Sequence, residues 1–174
     1  MKATNYIKGF TIVELLIVII VIAILAAISI AAYNGVQQRT RNTQVSAGVN
    51  QYVKAVQNYY AVYSSYPTNS GCLGANYPSD RCWLTSSTPT RSVNAALDSQ
   101  LSEFIPTKPT LATQLLNMGG GYSQYDRAGL VYLYTSATNI ELRYYLEGNN
   151  QSCIGGFTFA NEGALSRCIM TLSN

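Results

Sequence analysis

The pattern of apolar and polar positions changes character twice along this chain of 174 residues. Residues 15–28 form an unbroken apolar run, and Ile30, Ala31 and Ala32 extend it past Ser29. The whole stretch 10–32 is interrupted only by Thr11, Glu14 and Ser29. A helix rising about 1.5 Å per residue needs roughly 20 apolar residues to cross a bilayer core. Residues 10–32 therefore predict a membrane-spanning helix, and no later stretch is long enough for another. Past Arg41 the pattern turns one-sided. Val45, Val49, Tyr52, Val53, Val56, Tyr59, Tyr60 and Tyr63 fall within a stripe roughly 120° wide on a helical wheel, while Ser46, Asn50, Gln51, Lys54, Gln57 and Asn58 take the other side. A single helix over about residues 11–65, ~80 Å long, is the expectation. Its first half suits lipid or other helices, and its second half suits one face of a globular head. Gly35 and Gly48 cost about 1 kcal/mol each in a helix interior and mark soft points. Tyr66-Pro67 ends the helix, because the residue before a proline is pushed out of the α region.

From Leu130 onward the period becomes two. Residues 130–135 are β-branched and aromatic. Ile140, Leu142, Tyr144 and Leu146 then alternate with Glu141, Arg143, Tyr145 and Glu147. A four-residue hairpin loop is expected at 136–139, with further strands at 157–159 and 168–172. Between helix and strands, 67–129 reads as a connecting loop region. It carries one short helix at 93–104, capped by Ser92 or Asn94, with Ala96, Leu97, Leu101 and Phe104 on one face. Another turn is expected at 111–118, and a flexible break at Gly119-Gly120-Gly121. The class is α+β, with an antiparallel sheet laid on the tyrosine–valine stripe. Five segments follow: a basic leader (1–9), a spanning and assembly helix (10–33), its amphipathic continuation (34–66), the connecting region (67–129), and the sheet with a C-terminal cysteine loop (130–174).

Composition narrows what this layout can do. Charged residues are 11% of the chain and the net charge is +3, with no clustering of Lys and Arg that would suit nucleic acid. There is no histidine. The eight acidic residues show no paired-carboxylate spacing, and no Ser–Lys pair stands out, so an enzyme is not expected. No metal or cofactor site is expected either. Cys72, Cys82, Cys153 and Cys168 all follow the span and lack the C-x-x-C spacing of a zinc or redox centre. Four cysteines allow three pairings; the sequential one closes the shortest loops. Basic residues on the two sides of the span balance (Lys2 and Lys8 before, Arg39 and Arg41 after), so charge alone does not orient it. Disulfides need an oxidising compartment, which places the C-terminal part outside and Met1 in the cytoplasm.

The junction at the start of the span carries the sharpest signal. Lys8-Gly9-Phe10-Thr11-Ile12-Val13-Glu14 runs straight into the apolar stretch, and no small-residue cleavage pattern follows Ala32. This junction resembles the type IV prepilin family, which includes the pseudopilins, and the Tyr66-Pro67-Thr68 at the helix end fits the same likeness. The resemblance implies cleavage between Gly9 and Phe10 by a membrane prepilin peptidase and N-methylation of Phe10. Removing Lys2 and Lys8 with the leader would leave nine basic side chains against eight acidic ones. The proline that many of these proteins carry near the place of Ala31 is absent, though Tyr33-Asn34-Gly35 could loosen the same region.

Glu14 has two readings. It is a helix-start carboxylate favoured by the helix dipole, or it pairs with the Phe10 amine of a neighbouring subunit and sets the axial register, as the resemblance implies. The resemblance further implies a helical homo-oligomeric filament, assembled from membrane lipid by a cytoplasmic ATPase and a platform protein. The expected function is a structural subunit of a type IV pilus. A pseudopilin of a secretion or competence system is the alternative, and a membrane-anchored receptor or adhesin that never polymerises is a third reading. The C-terminal cysteine loop favours the pilin, because the acidic calcium loop of major pseudopilins is represented here only by Glu162. The 14 tyrosines read mainly as core packing, with Tyr77, Tyr122 and Tyr125 as candidates for loop contacts with partners.

Overall fold

The computed structural model describes residues 10–85, 90–111, 114–122 and 124–173. One long helix, α1 (Ile12–Tyr63), is followed by β1 (Gly71–Leu73), β2 (Arg81–Thr85), β3 (Arg91–Ser92), α2 (Ala95–Leu101), β4 (Leu116–Asn117), β5 (Tyr125–Arg127), β6 (Leu130–Ser136), β7 (Asn139–Glu147), β8 (Thr158–Glu162) and β9 (Leu165–Ser173). The chain divides into two units, Met1–Arg39 and Thr40–Asn174. The first contributes the apolar part of α1. Its best 18-residue window has a mean hydropathy of 3.3, none of it buried, and it is long and apolar enough to cross a membrane.

In the second unit the remainder of α1 uses its stripe as expected. Val45, Val49, Tyr52 and Val56 are buried, and Ala55 joins them. Val53, Tyr59 and Tyr60 are half-buried, while Tyr63 is exposed. They share a core with Leu130, Tyr132, Ile140, Leu142, Tyr144 and Leu146, so the period-two face of β7 meets the period-3.6 face of the helix. The helix stops at Tyr63, before Pro67. Ser64 takes a left-handed φ of 52° while its N–H still bonds Tyr60 O at 2.8 Å.

The main sheet runs β1-β6-β7-β9-β8, antiparallel throughout. The β6–β7 hairpin is tighter than the four-residue loop expected. Ser136 pairs with Asn139 across an irregularity after Tyr134, leaving a two-residue turn. The third and fourth strands extend well beyond their expected cores, to Thr158–Glu162 and Leu165–Ser173.

The largest departure is in 67–129. Besides the expected helix, this region supplies β1 to the main sheet and all four strands of a second sheet, ordered β3-β2-β5-β4. These strands have two to five residues, too short to show a period. The turn expected at 111–118 is replaced by β4, and a 3-10 turn (Gly120–Tyr122) occupies the expected glycine break. α2 is shorter than 93–104. Asn94 caps it, its Oδ1 accepting from Ala96 N and Leu97 N at 3.0 and 3.3 Å. Leu97 and Leu101 are buried and Phe104 half-buried, whereas Ala96 is exposed. Gly48 is no soft point. A Cβ there would lie 2.1 Å from Leu111 Cδ2, so the glycine admits a close approach of the following loop.

Candidate assembly site

The first turn of α1 is closed by its own side chains. Glu14 N donates to Thr11 Oγ1 at 3.2 Å, and Thr11 N donates back to Glu14 Oε2 at 2.8 Å. The Thr11 hydroxyl also donates to Oε2, at 2.8 Å. This is a capping box, which satisfies two of the backbone N–H groups that a helix start leaves without partners. The signature T-x-x-E was present in the sequence. Glu14 reads there as a dipole or intersubunit carboxylate, and Thr11 as a break in the apolar run. Both Thr11 bonds fall on one carboxylate oxygen, so Oε1 remains open to a further donor. Phe10 precedes the helix and is 80% exposed. Gly9, the other residue of the expected cleavage site, lies outside the described residues. From Ile12 to Val36 the large apolar side chains stand exposed around Glu14 and beyond it.

The cysteines pair in sequence order. Cys72–Cys82 and Cys153–Cys168 both have Cα atoms 5.7 Å apart, and no cysteine is free. The first bridge is fully buried and ties β1 to β2, joining the main sheet to the small one. The second bounds the segment that leads into β8 and returns on β9. Phe10 and Glu14 thus belong to the first unit and the four cysteines to the second.

Several residues do more than the sequence indicated. Tyr77 is not a surface contact. Its hydroxyl donates to Leu73 O at 2.7 Å and accepts from Leu130 N at 3.1 Å, and burial pushes it well above the ordinary tyrosine range. Gly129, at φ +52°, makes room for that ring. The side chain of Tyr122 lies outside the described residues. Tyr125 is half-buried beneath the Arg127 guanidinium, 5.1 Å from its ring centre. Near the start of the packed half of α1, Asn42 exchanges two backbone bonds with Glu147, at 3.0 and 2.8 Å. Arg41 Nε donates to Glu147 Oε2 at 2.8 Å. Nothing in the periodicity marks Asn42, because its partner is 105 residues away.

Comparison with known proteins places this helix. Residues 4–30 match the prokaryotic N-terminal methylation motif. The chain is 44% identical over 66 residues to a type IV wide pilus major component of Thermus thermophilus, covering 38% of this chain and 50% of that one. It is 40% identical over 77 residues to a type IV major pilin protein of Neisseria gonorrhoeae, covering 42% and 45%. A fimbrial protein of Eikenella corrodens is 36% identical over 67 residues, covering 38% and 44%. The chain thus spans about half the length of the curated relatives it matches. No solved structure matches the chain. With the prokaryotic methylation motif at the head of its long helix, this α+β chain is similar to type IV pilins over stretches of 66 to 77 residues.

Proposed function

We propose that this chain is a structural subunit of a type IV pilus filament. In this reading it is cleaved after Gly9 by a prepilin peptidase, methylated at Phe10, and polymerised through the apolar part of α1 by an assembly ATPase and platform protein. The observation that carries it is an apolar helical surface with none of its best window buried and one capped carboxylate in its first turn. Lipid covers that surface in the precursor, where helix–helix packing gains nothing from the hydrophobic effect because lipid tails are equally apolar. Outside the membrane the balance changes. Each large apolar side chain left in water costs roughly 1.5–3 kcal/mol, so the helices of neighbouring copies become the required cover.

Glu14 supplies the register. The capping box holds the carboxylate in place before assembly, and the amine created at Phe10 of an adjacent copy is met by Oε1 without dismantling the cap. An unmatched carboxylate in a bundle of apolar helices is costly, which rejects shifted alignments. The two disulfides support an extracytoplasmic head and a cytoplasmic N-terminus. The test uses Glu14→Leu and Glu14→Gln expressed as the sole copy, with filaments sheared from cells and blotted. Both variants are expected to insert and to begin at Phe10 by mass spectrometry, and Glu14→Leu to be missing from the sheared fraction. Normal filament yield from Glu14→Leu removes the register mechanism. A Gly9→Val chain is expected to stay in the membrane as precursor.

A further inference from the structure

The interface between the two sheets holds a group of cations outside the proposed assembly site. In the small sheet, Trp83 of β2 pairs with Arg91 of β3 on one side and Arg127 of β5 on the other, so the three side chains share one face. The Arg127 guanidinium lies 4.2 Å from the centre of the Trp83 ring, and that of Arg143, from β7 of the main sheet, lies 5.4 Å from it. One indole thus meets guanidiniums from both sheets, with Arg91 as its cross-strand neighbour.

Their charges are not balanced. Arg143 is bonded to Glu141, its Nε donating to Oε1 at 2.8 Å. Among the described residues neither Arg91 nor Arg127 has a carboxylate within ion-pair distance. Beside the Tyr145 hydroxyl, the carboxylate that bears on Arg127 is Glu162, and it is committed to Arg167 at 2.9 Å. Arg127 is only 3% exposed and spends Nη1 on two backbone carbonyls, Leu84 O and Asp126 O, both at 3.0 Å. Three buried N–H donors of this row have no partner: Arg91 Nε, Trp83 Nε1 and Arg127 Nε. A buried donor without a partner is expensive, and two uncompensated guanidiniums more so. Burial accordingly lowers Arg127 from its ordinary value. Arg91, Trp83 and Arg143 are half-buried, so the group is open to solvent on their side and closed at Arg127.

We propose that Arg91, Trp83 and Arg127, with Arg143 at the rim, form a binding site for an oxyanion: a phosphate, or the carboxylate of an acidic sugar. Such a group accepts several N–H bonds at once and supplies the missing negative charge, and guanidinium forks match its geometry. The indole N–H fixes orientation, and the cation–π stack holds the arginines apart in readiness.

Trp83 is the only tryptophan of the chain, so its fluorescence reports on this site alone. The full chain in non-ionic detergent is titrated at constant ionic strength with inorganic phosphate, with glucuronate, and with glucose as the neutral control. A saturable change with at least one of the two anions, and none with glucose, is expected. Response to both marks a general oxyanion site, and response to phosphate alone narrows it to phosphate. Arg91→Gln, at a half-buried side chain with no ion pair among the described residues, is expected to keep the circular dichroism spectrum and weaken binding at least tenfold. Trp83→Phe, followed by calorimetry, keeps the ring and loses the N–H, and weakens binding as well. No saturable response to either anion, an equal response to glucose, or unchanged affinity in Arg91→Gln overturns the proposal.

Discussion

At the scale of single residues, a hydroxyl can stand in for a backbone bond. Leu73 and Leu130 face one another at the end of the β1–β6 ladder, and the Tyr77 hydroxyl bridges the carbonyl of one and the N–H of the other. Tyr77→Phe keeps the ring and strands both groups in the core. At about 1–3 kcal/mol for each unsatisfied buried group, a loss of about 2–4 kcal/mol is expected, read as a lower denaturant midpoint with an unchanged slope. At the other end of the chain, Thr11 does for the first turn what Tyr77 does for the sheet. Thr11→Val should accelerate amide hydrogen exchange at Glu14 in detergent micelles, whereas Thr11→Ser, which keeps the accepting oxygen, should leave it slow. Equal protection in both variants would mean that the cap does not form in a micelle.

Within one element, two glycines of α1 are expected to answer the same substitution oppositely. Gly35 meets nothing within 4 Å of a built Cβ, so Gly35→Ala should gain helix propensity, roughly 0.5–1 kcal/mol. A Cβ built on Gly48 would run into the Leu111 side chain, and Leu111 is itself buried and cannot swing aside freely. Gly48→Ala should therefore lose more to overpacking, about 1–3 kcal/mol, than it gains in propensity. Thermal unfolding followed by circular dichroism on the full chain in detergent separates the two. A Gly48→Ala chain as stable as the parent would show that the 109–111 segment yields without cost.

For the whole molecule, the buried tyrosines set an alkaline limit. Tyr52, Tyr77 and Tyr132 are all raised above their ordinary value, with burial the largest cause in each. A tyrosine whose folded pKa exceeds its unfolded one keeps its full contribution below the unfolded value near 10. It loses that contribution as pH climbs toward the folded value, because only the unfolded chain has released its proton. Stability of the disulfide-intact chain should thus be flat with respect to tyrosine below about pH 9.5 and fall steeply above pH 10. Denaturant titrations across this range, with absorbance of the phenolate as the second signal, check it. Phenolate appearing before unfolding would show that the rings ionise in place.

What the sequence alone determined is whatever rests on local chemistry and a long regular period. Residues 10–32 carry enough apolar length to declare a span, 45–63 enough turns to declare a stripe, and 140–147 enough alternation to declare a strand and its buried face. The K-G-F-T-x-x-E junction lies within a single stretch of chain and could be read directly, as could an even set of cysteines able to pair in order. Only the tertiary structure decided the rest. The small sheet is built from strands of two to five residues, below the length at which a period shows, and its order depends on pairings between distant segments. Gly48 reads as a weakness until Leu111 is seen against it. No period marks Asn42, whose partner Glu147 meets it from 105 positions away. The arginines around Trp83 are scattered over 52 positions between Arg91 and Arg143, and only strand register and sheet packing bring them to one ring. Long-range pairing is the common reason, since loop closure between distant residues leaves no trace in local pattern.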